Sequence, residues 1–241
     1  MPDLVVTTSW DDGHPADLRI AERLARHGLR GTFYVPAANS EGRAVMDAAA
    51  LRALAASGFE IAGHTRDHRR LTGLNASEAR RQVAEGKTIL EDMLGAPVHG
   101  FAYPGGRRNA AIRAIVADAG FRHARTTCML CLDPGPDTFS MATTLQLYPH
   151  RIPALLRNWL RNGGGIDRLR IAAAWLEAGS PDRAAARIAD IAAIRGGVFH
   201  LWGHSWEIER AGLWPHLDRV LAILSERATS RATNAEIAGI R

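Results

Sequence analysis

Short apolar runs alternate with amphipathic stretches through the first half of the chain. Residues 4–8, LVVTT, have the length and apolarity of a buried strand. Residues 15–27 then set Leu18, Ala21, Leu24 and Ala25 on one face at helical spacing, with Pro15 at the start and Gly28 at the end. The alternation repeats. Strands are predicted over 31–36, 59–63, 98–104 and 122–127, and helices over 46–57, 75–94 and 109–119. Asn75 with Glu78 predicts a capping box, with asparagine in place of serine or threonine. Beyond residue 153 the texture changes. Helical patterns dominate to 195, a strand pattern returns over 196–208, and a last helix is predicted over 213–227.

Strands alternating with helices of this length predict β/α units around a parallel sheet or barrel. Residues 1–241 read as one domain, with 153–195 as a helical insertion within it. Polar clusters fall where predicted strands end: Asp11 and Asp12 after VVTTSW, His64 after FEIAG, PGG after HGFAY, and His204 after FHLWG. In parallel α/β folds that edge is where active sites form.

Composition narrows the function class. The chain is 46% hydrophobic and 23% charged, which supports a real core and argues against disorder. Its net charge is +5, but Lys87 is the only lysine. The arginine excess accompanies abundant alanine and no nucleic-acid recognition pattern, so nucleic-acid binding is not expected. Cys128 and Cys131 form a single C-x-x-C within TTCMLCLD, a strand-like apolar segment in which both thiols read as small buried hydrophobes. The first residues show no basic start, apolar core or cleavage site of a secretory signal. No apolar run approaches the roughly 18 residues of a membrane span, so the expected location is cytoplasmic.

The adjacent carboxylates Asp11 and Asp12 repel one another and call for a nearby positive charge. His64 and His68, four apart in GHTRDH, would share one face of a helical turn. Two histidines with a carboxylate from another strand end make a common zinc set that leaves a position open for water.

With these motifs in view, the sequence resembles the polysaccharide deacetylases, the NodB homology domain of carbohydrate esterase family 4. SWDDG resembles the first family motif, T-F-D-D-G. HTRDH resembles the second, H-[ST]-x-x-H. FAYPGG resembles the third, R-x-P-x-G, and LWGH the last, L-x-x-H. The resemblance is dense over 4–127 and returns at 197–206. It implies a distorted (β/α)7-type barrel of the NodB kind. It implies that Asp12, His64 and His68 hold one divalent metal, zinc first, with cobalt, manganese or nickel as alternatives. It implies Asp11 as general base, His204 as general acid, and the Gly105 amide as an oxyanion donor. Tyr103, Pro104, Gly106, Arg125, Leu201 and Trp202 would contact substrate, with Leu201 lining an acyl pocket.

The expected reaction is hydrolysis of an N-acetyl or N-formyl group on an amino sugar or glycan precursor, in surface-polysaccharide biosynthesis. The substrate would be an N-acylated sugar that is free, nucleotide-linked or lipid-linked, with Arg107 and Arg108 placed to meet a phosphate. Two alternatives are a cyclic amide or ureide hydrolase and a degenerate glycan-binding domain. Two departures stand out. The third motif has Ala102 where the family has arginine, and Arg125 is the candidate replacement partner of Asp11. No fourth motif is recognisable; Asp133, Asp137 and Glu207 are the candidate acids beside His204.

Overall fold

The computed structural model describes residues 2–148, 150 and 152–240. The first half is a run of β/α units: β1 (Leu4–Asp11), α1 (Asp17–Arg26), β2 (Gly31–Val35), α2 (Ala48–Ala56), β3 (Glu60–Gly63), α3 (Ala76–Leu94), β4 (Gly100–Ala102), α4 (Ala110–Asp118) and β5 (His123–Arg125). A short β6 (Leu145–Gln146) precedes α5 (Ile152–Arg161), α6 (Ile166–Leu176) and α7 (Pro181–Arg195). Then come β7 (Gly197–Gly203), α8 (Ser205–Arg210), α9 (Trp214–Arg227), β8 (Ser230–Ala232) and α10 (Asn234–Ile237).

The strands pair in parallel in the order β5-β4-β3-β2-β1-β7-β6, with β8 added on β1. Met141 bridges Arg125 at the end of β5, and four residues later β6 pairs with β7. Residues 141–146 therefore draw the two margins of the sheet together. The result is a distorted (β/α)7-type barrel, as the sequence predicts.

Local chemistry sets the helix limits. Asn75 accepts from the Glu78 amide at 2.9 Å, and α3 stops at Gly95, which takes φ 72°. Only half of the expected capping box forms, because the Glu78 carboxylate turns to Arg81 and Arg69. Asp47 and Asn109 cap α2 and α4 in the same way as Asn75. Helix α1 buries Ala21 and Leu24 as its spacing predicts, but Leu18 and Ala25 face outward and Ile20, not expected on that face, is buried instead. The buried side chains join Trp10, Phe33, Phe199 and Leu221 in the main core between sheet and helices. Each leucine, isoleucine or phenylalanine so buried contributes about 1.5–3 kcal/mol.

The barrel interior is polar. The Thr7 hydroxyl donates to Asn234 Oδ1 at 3.0 Å, and the Asn234 amide donates to Tyr34 Oη at 2.8 Å. Ser9 pairs with His200 Nε2 at 2.8 Å, and Glu60 takes Thr32 at 2.7 Å and His123 at 2.8 Å. Burial alone would raise the Glu60 pKa, yet His123, Thr32 and the Ala235 amide together hold it below the usual value. Buried polar groups are tolerated when they are partnered, and in this set His123 Nδ1 is the atom left without a hydrogen bond.

Two local expectations are corrected, and three short elements have no sequence signal. The C-x-x-C segment is loop, not strand. Leu130 takes φ 66°, and the amides of Leu130 and Cys131 donate to Thr144 and Thr143 carbonyls. Cys128 and Cys131 are half-buried, with their sulfurs 3.9 Å apart. The strand pattern over 196–208 ends at Gly203, and Ser205 begins α8. Finally β6, β8 and α10 are too short to show a period of their own. Among the described residues no helix is long and apolar enough to cross a membrane.

Candidate active site

The strand ends of β1, β3, β4, β5 and β7 lead into one rim, where a cavity of about 190 Å³ opens. The two carboxylates of the first motif part company there. Asp11 is the last residue of β1, while Asp12 and Gly13 take φ 78° and 60°. A left-handed turn of this kind is costly for a residue other than glycine and turns successive side chains apart. A side chain at Gly13 would meet Val35 at 2.7 Å, so the turn also needs the glycine for space.

Asp11 faces Arg125, whose Nη2 donates to Oδ1. Arg125 is fully buried and lies 4.9 Å over each of the Tyr34 and Trp202 rings. It replaces the missing arginine by position as well as by charge. Ala102 and Arg125 are direct partners across β4 and β5, so the guanidinium has moved one strand along at the same level. Complete burial removes Arg125 from substrate contact and makes it the partner of Asp11.

Asp12 turns the other way. Trp206 Nε1 donates to Oδ2 at 2.8 Å, and Oδ1 faces His68 Nε2 at 3.1 Å and His64 Nε2 at 3.7 Å. Burial alone would raise the Asp12 pKa. The His68 contact and the fields of His204, His64 and His68 outweigh it and hold the carboxyl well below the usual range. His64 is pushed down to about 4, by burial first. Its Nδ1 donates to the Ala102 carbonyl at 2.7 Å, which leaves the Nε2 lone pair directed at Asp12.

The histidine pair sits on a loop, not a helical turn. Thr65 and His68 take φ 70° and 58°, and these two turns bring the imidazoles to 4.9 Å between ring centres. Helix α3 holds the loop. The Arg66 amide donates to the Gln82 carbonyl at 2.8 Å, and the Asp67 amide to the Gln82 side chain at 3.0 Å. At Gly86 the loop lies directly on the helix backbone. A Cβ there would come within 2.6 Å of Arg66 N.

Asp12 Oδ1 is buried without a hydrogen bond of good geometry. A carboxylate oxygen and one nitrogen from each of His64 and His68 lie within 4.8 Å of one another. One oxygen and two imidazole nitrogens are a fitting donor set for a divalent cation with an open coordination position. An orphaned oxygen is what such a cation would satisfy.

His204 lines the same cavity, at the start of α8. Its Nδ1 donates to Glu207 Oε2 at 2.7 Å, so Glu207 is the acid beside it. Asp137 instead pairs with Arg113, and Asp133 accepts from the Gly135 amide. Burial works against charge on His204. The Glu207 hydrogen bond and the carboxylates Asp12 and Asp11 overcome it, raising the pKa to about 9. Trp202 and Trp206 flank the ring, with centres 5.7 and 5.6 Å away.

Of the expected substrate contacts, Pro104 and Trp202 line the cavity, as does Gly105, the expected oxyanion donor. Tyr103 is turned away, its hydroxyl donating to the Phe139 carbonyl at 3.0 Å. Gly106 is buried against Thr127, where a Cβ would meet Oγ1 at 2.0 Å. Leu201 is fully buried and is not among the lining residues. Side chains alternate along a strand, and Trp202 and His204 take the cavity side. The sequence reading missed Glu41, Arg43, Arg70 and Thr127, which complete the rim. Arg43 stacks at 4.0 Å on Trp206. None of the four belongs to a motif, so no local signal marks them.

The family model described as polysaccharide deacetylase matches residues 1–124. The chain belongs to that family. The YxkH protein of Bacillus subtilis (strain 168), named for the same family, is 24% identical over 123 residues. That match covers 51% of this chain and 44% of YxkH, so the chain spans less than half the length of that relative.

Solved structures extend the likeness through the second half of the fold. A family 4 carbohydrate esterase from Streptomyces lividans, in complex with acetate, aligns with TM-score 0.60 at 17% identity, over 94% of this chain and 91% of that one. The chitin deacetylase of Colletotrichum lindemuthianum gives 0.65 at 15%, over 98% and 88%. A family 4 acetyl xylan esterase from Clostridium thermocellum, in complex with a cobalt ion, gives 0.60 at 15%, over 98% and 92%. At these identities the structural likeness establishes the fold.

Proposed function

We propose that this protein is a metal-dependent hydrolase that removes an N-acetyl or N-formyl group from an amino sugar or glycan precursor. The observation that carries this reading is the orphaned Asp12 Oδ1 facing His64 and His68, in a cavity also lined by Asp11 and His204, each with its own partner, Arg125 and Glu207. Asp12, His64 and His68 would hold the cation, zinc first among the candidates. When bound, it supplies a Lewis acid that polarises the amide carbonyl and acidifies water.

The chain's own residues do the rest. Asp11, oriented by Arg125, accepts the proton of the attacking water as general base. His204 carries the proton that the departing nitrogen needs, and Glu207 keeps it charged. The Gly105 amide stands at the cavity wall as the candidate oxyanion donor. Trp202 and Trp206 line the cavity wall beside His204 and give it an apolar boundary.

The test is release of acetate or formate from N-acylated glucosamine and its oligomers by protein with and without chelator. Turnover that disappears with chelator, returns with zinc or cobalt, and is absent in Asp12→Asn supports the reading. Turnover indifferent to chelator, or hydrolysis of cyclic amides alone, rejects it.

A further inference from the structure

A second cavity of about 300 Å³ adjoins the first and shares Gly105, Thr127, Trp202 and His204 with it. Its outer wall carries Arg107, Arg157 and Arg161, and no carboxylate lines it. Arg157 and Arg161 are one turn apart on α5 and so project from one face. Arg107 lies directly after the third motif.

These three arginines line one cavity together, while many others on the surface are held in ion pairs. Arg66 pairs with Asp67 and Glu85, and Arg113 with Asp137. Among the described residues, Arg107, Arg157 and Arg161 have no carboxylate partner within ion-pair distance. Arg161 is pushed below the ordinary arginine value, by burial first and then by Arg107, Arg108 and Arg157. Uncompensated positive charge facing a cavity is the electrostatic signature of an anion-binding surface.

Helix α5, which carries two of the three, is held in place. Asn158, on the same helix, donates to the Thr127 carbonyl at 2.6 Å and accepts from the Met129 amide at 3.1 Å. Arg161 reaches Thr127 Oγ1 at 3.3 Å. Buried Arg168 spends its donors on Asn158 and on the carbonyls of Met129, Trp159, Asn162 and Gly164. It therefore clamps α5 to the rim and leaves the cavity arginines free to meet a ligand.

We infer that this cavity is an anion subsite for a phosphoryl group carried by the acylamino sugar, seated by Arg107, Arg157 and Arg161. This inference rests on the deacylation reading for the placement of the sugar. His204 stands in the wall common to both cavities, so the departing nitrogen belongs there and a substituent of the same sugar extends beyond it. One carboxylate needs one guanidinium fork. Three unpaired guanidiniums match a phosphate or diphosphate. That chemistry is shared by nucleotide-linked and lipid-phosphate-linked sugars.

Calorimetric titration of the metal-loaded protein with N-acetylglucosamine and with its 1-phosphate tests the subsite without requiring turnover. The phosphate form should bind at least tenfold more tightly, and Arg157→Gln and Arg161→Gln should each remove most of that preference. Arg122→Gln, before β5 and outside the lining of either cavity, serves as the control and should retain it. Equal binding of the two sugars overturns the inference. So does a phosphate preference that survives both cavity substitutions, which would place the phosphate on the site metal. Replacing the probe by its uridine diphosphate or polyprenyl phosphate ester identifies which source the cavity prefers. Phosphate-dependent binding without acyl release would reject the deacylation reading and leave the subsite standing.

Discussion

Arg125 and Asp11 lie 114 residues apart in sequence and pair across the barrel interior, where both are buried. The pair answers the loss of arginine from the third motif. Ala102 and Arg125 occupy the same register on neighbouring strands, so a guanidinium from either reaches the same level of the rim. Arg125→Ala should lower kcat/KM by a hundredfold or more, the scale of an impaired general base. It should also cost about 3–5 kcal/mol of stability, because Asp11 is left buried and unpaired. The double variant Ala102→Arg with Arg125→Ala should recover at least tenfold of the lost rate. Full activity in the single variant would remove Arg125 from the mechanism.

Glu207 controls the protonation of His204. The histidine pKa rises to about 9 against its own burial, through the Glu207 hydrogen bond and the nearby carboxylates. A general acid works below its pKa, so the alkaline limb of the kcat/KM profile reports it. Glu207→Gln removes one source of the upward shift, and the limb should move to lower pH by about one unit or more. A pH–rate series on both proteins measures this. An unmoved limb would separate His204 from the proton transfer.

The loop bearing both histidines rests on α3, so a residue far from any ligand should affect metal binding. Gly86→Ala places a methyl group 2.6 Å from Arg66 N, and the loop must lift. The expected cost is about 1–3 kcal/mol of stability, as for other overpacked sites. Displaced ligands should also lose roughly 10–100-fold in zinc affinity, the scale seen when supporting groups are removed. Competition with a chromophoric chelator gives the affinity, and an unchanged value would contradict the support role.

Asp17 is a stability liability beneath the site. Burial first, with Asp12 and Asp11 adding, pushes its pKa well above the usual carboxylate value, and Ser205 and His204 oppose this only in part. Neither carboxylate oxygen has a hydrogen bond of good geometry. A folded-state pKa above the unfolded one means that the folded state binds more protons, so stability falls as pH rises past the unfolded value. Asp17→Asn removes that dependence and should raise the melting temperature at pH 7, with a smaller gain at pH 4. Thermal melts at the two pH values check the sign.

Much of the site is legible because the chemistry is local. Asp11, Asp12, His64, Pro104 and His204 each come at the end of a strand pattern, and parallel strands deliver their C-terminal ends to one rim. Glu207 was within reach of the same reasoning. Residues 204 and 207 share a face only on a helix, and the segment reads as strand because SWEI alternates polar and apolar residues after FHLWG. The histidine pair is the opposite case: helical spacing groups the right residues, but two left-handed turns bring them together.

By itself the sequence determined the β/α order, the main strand and helix positions, and the motif residues, since these depend on periodicity and on side chains adjacent along the chain. Tertiary structure alone decided which partners those residues have. Trp206 meets Asp12 from 194 residues away, and Arg107 faces two arginines of α5 across a cavity. Such pairings arise from barrel closure and helix packing, which bring together segments whose separate patterns carry no trace of one another.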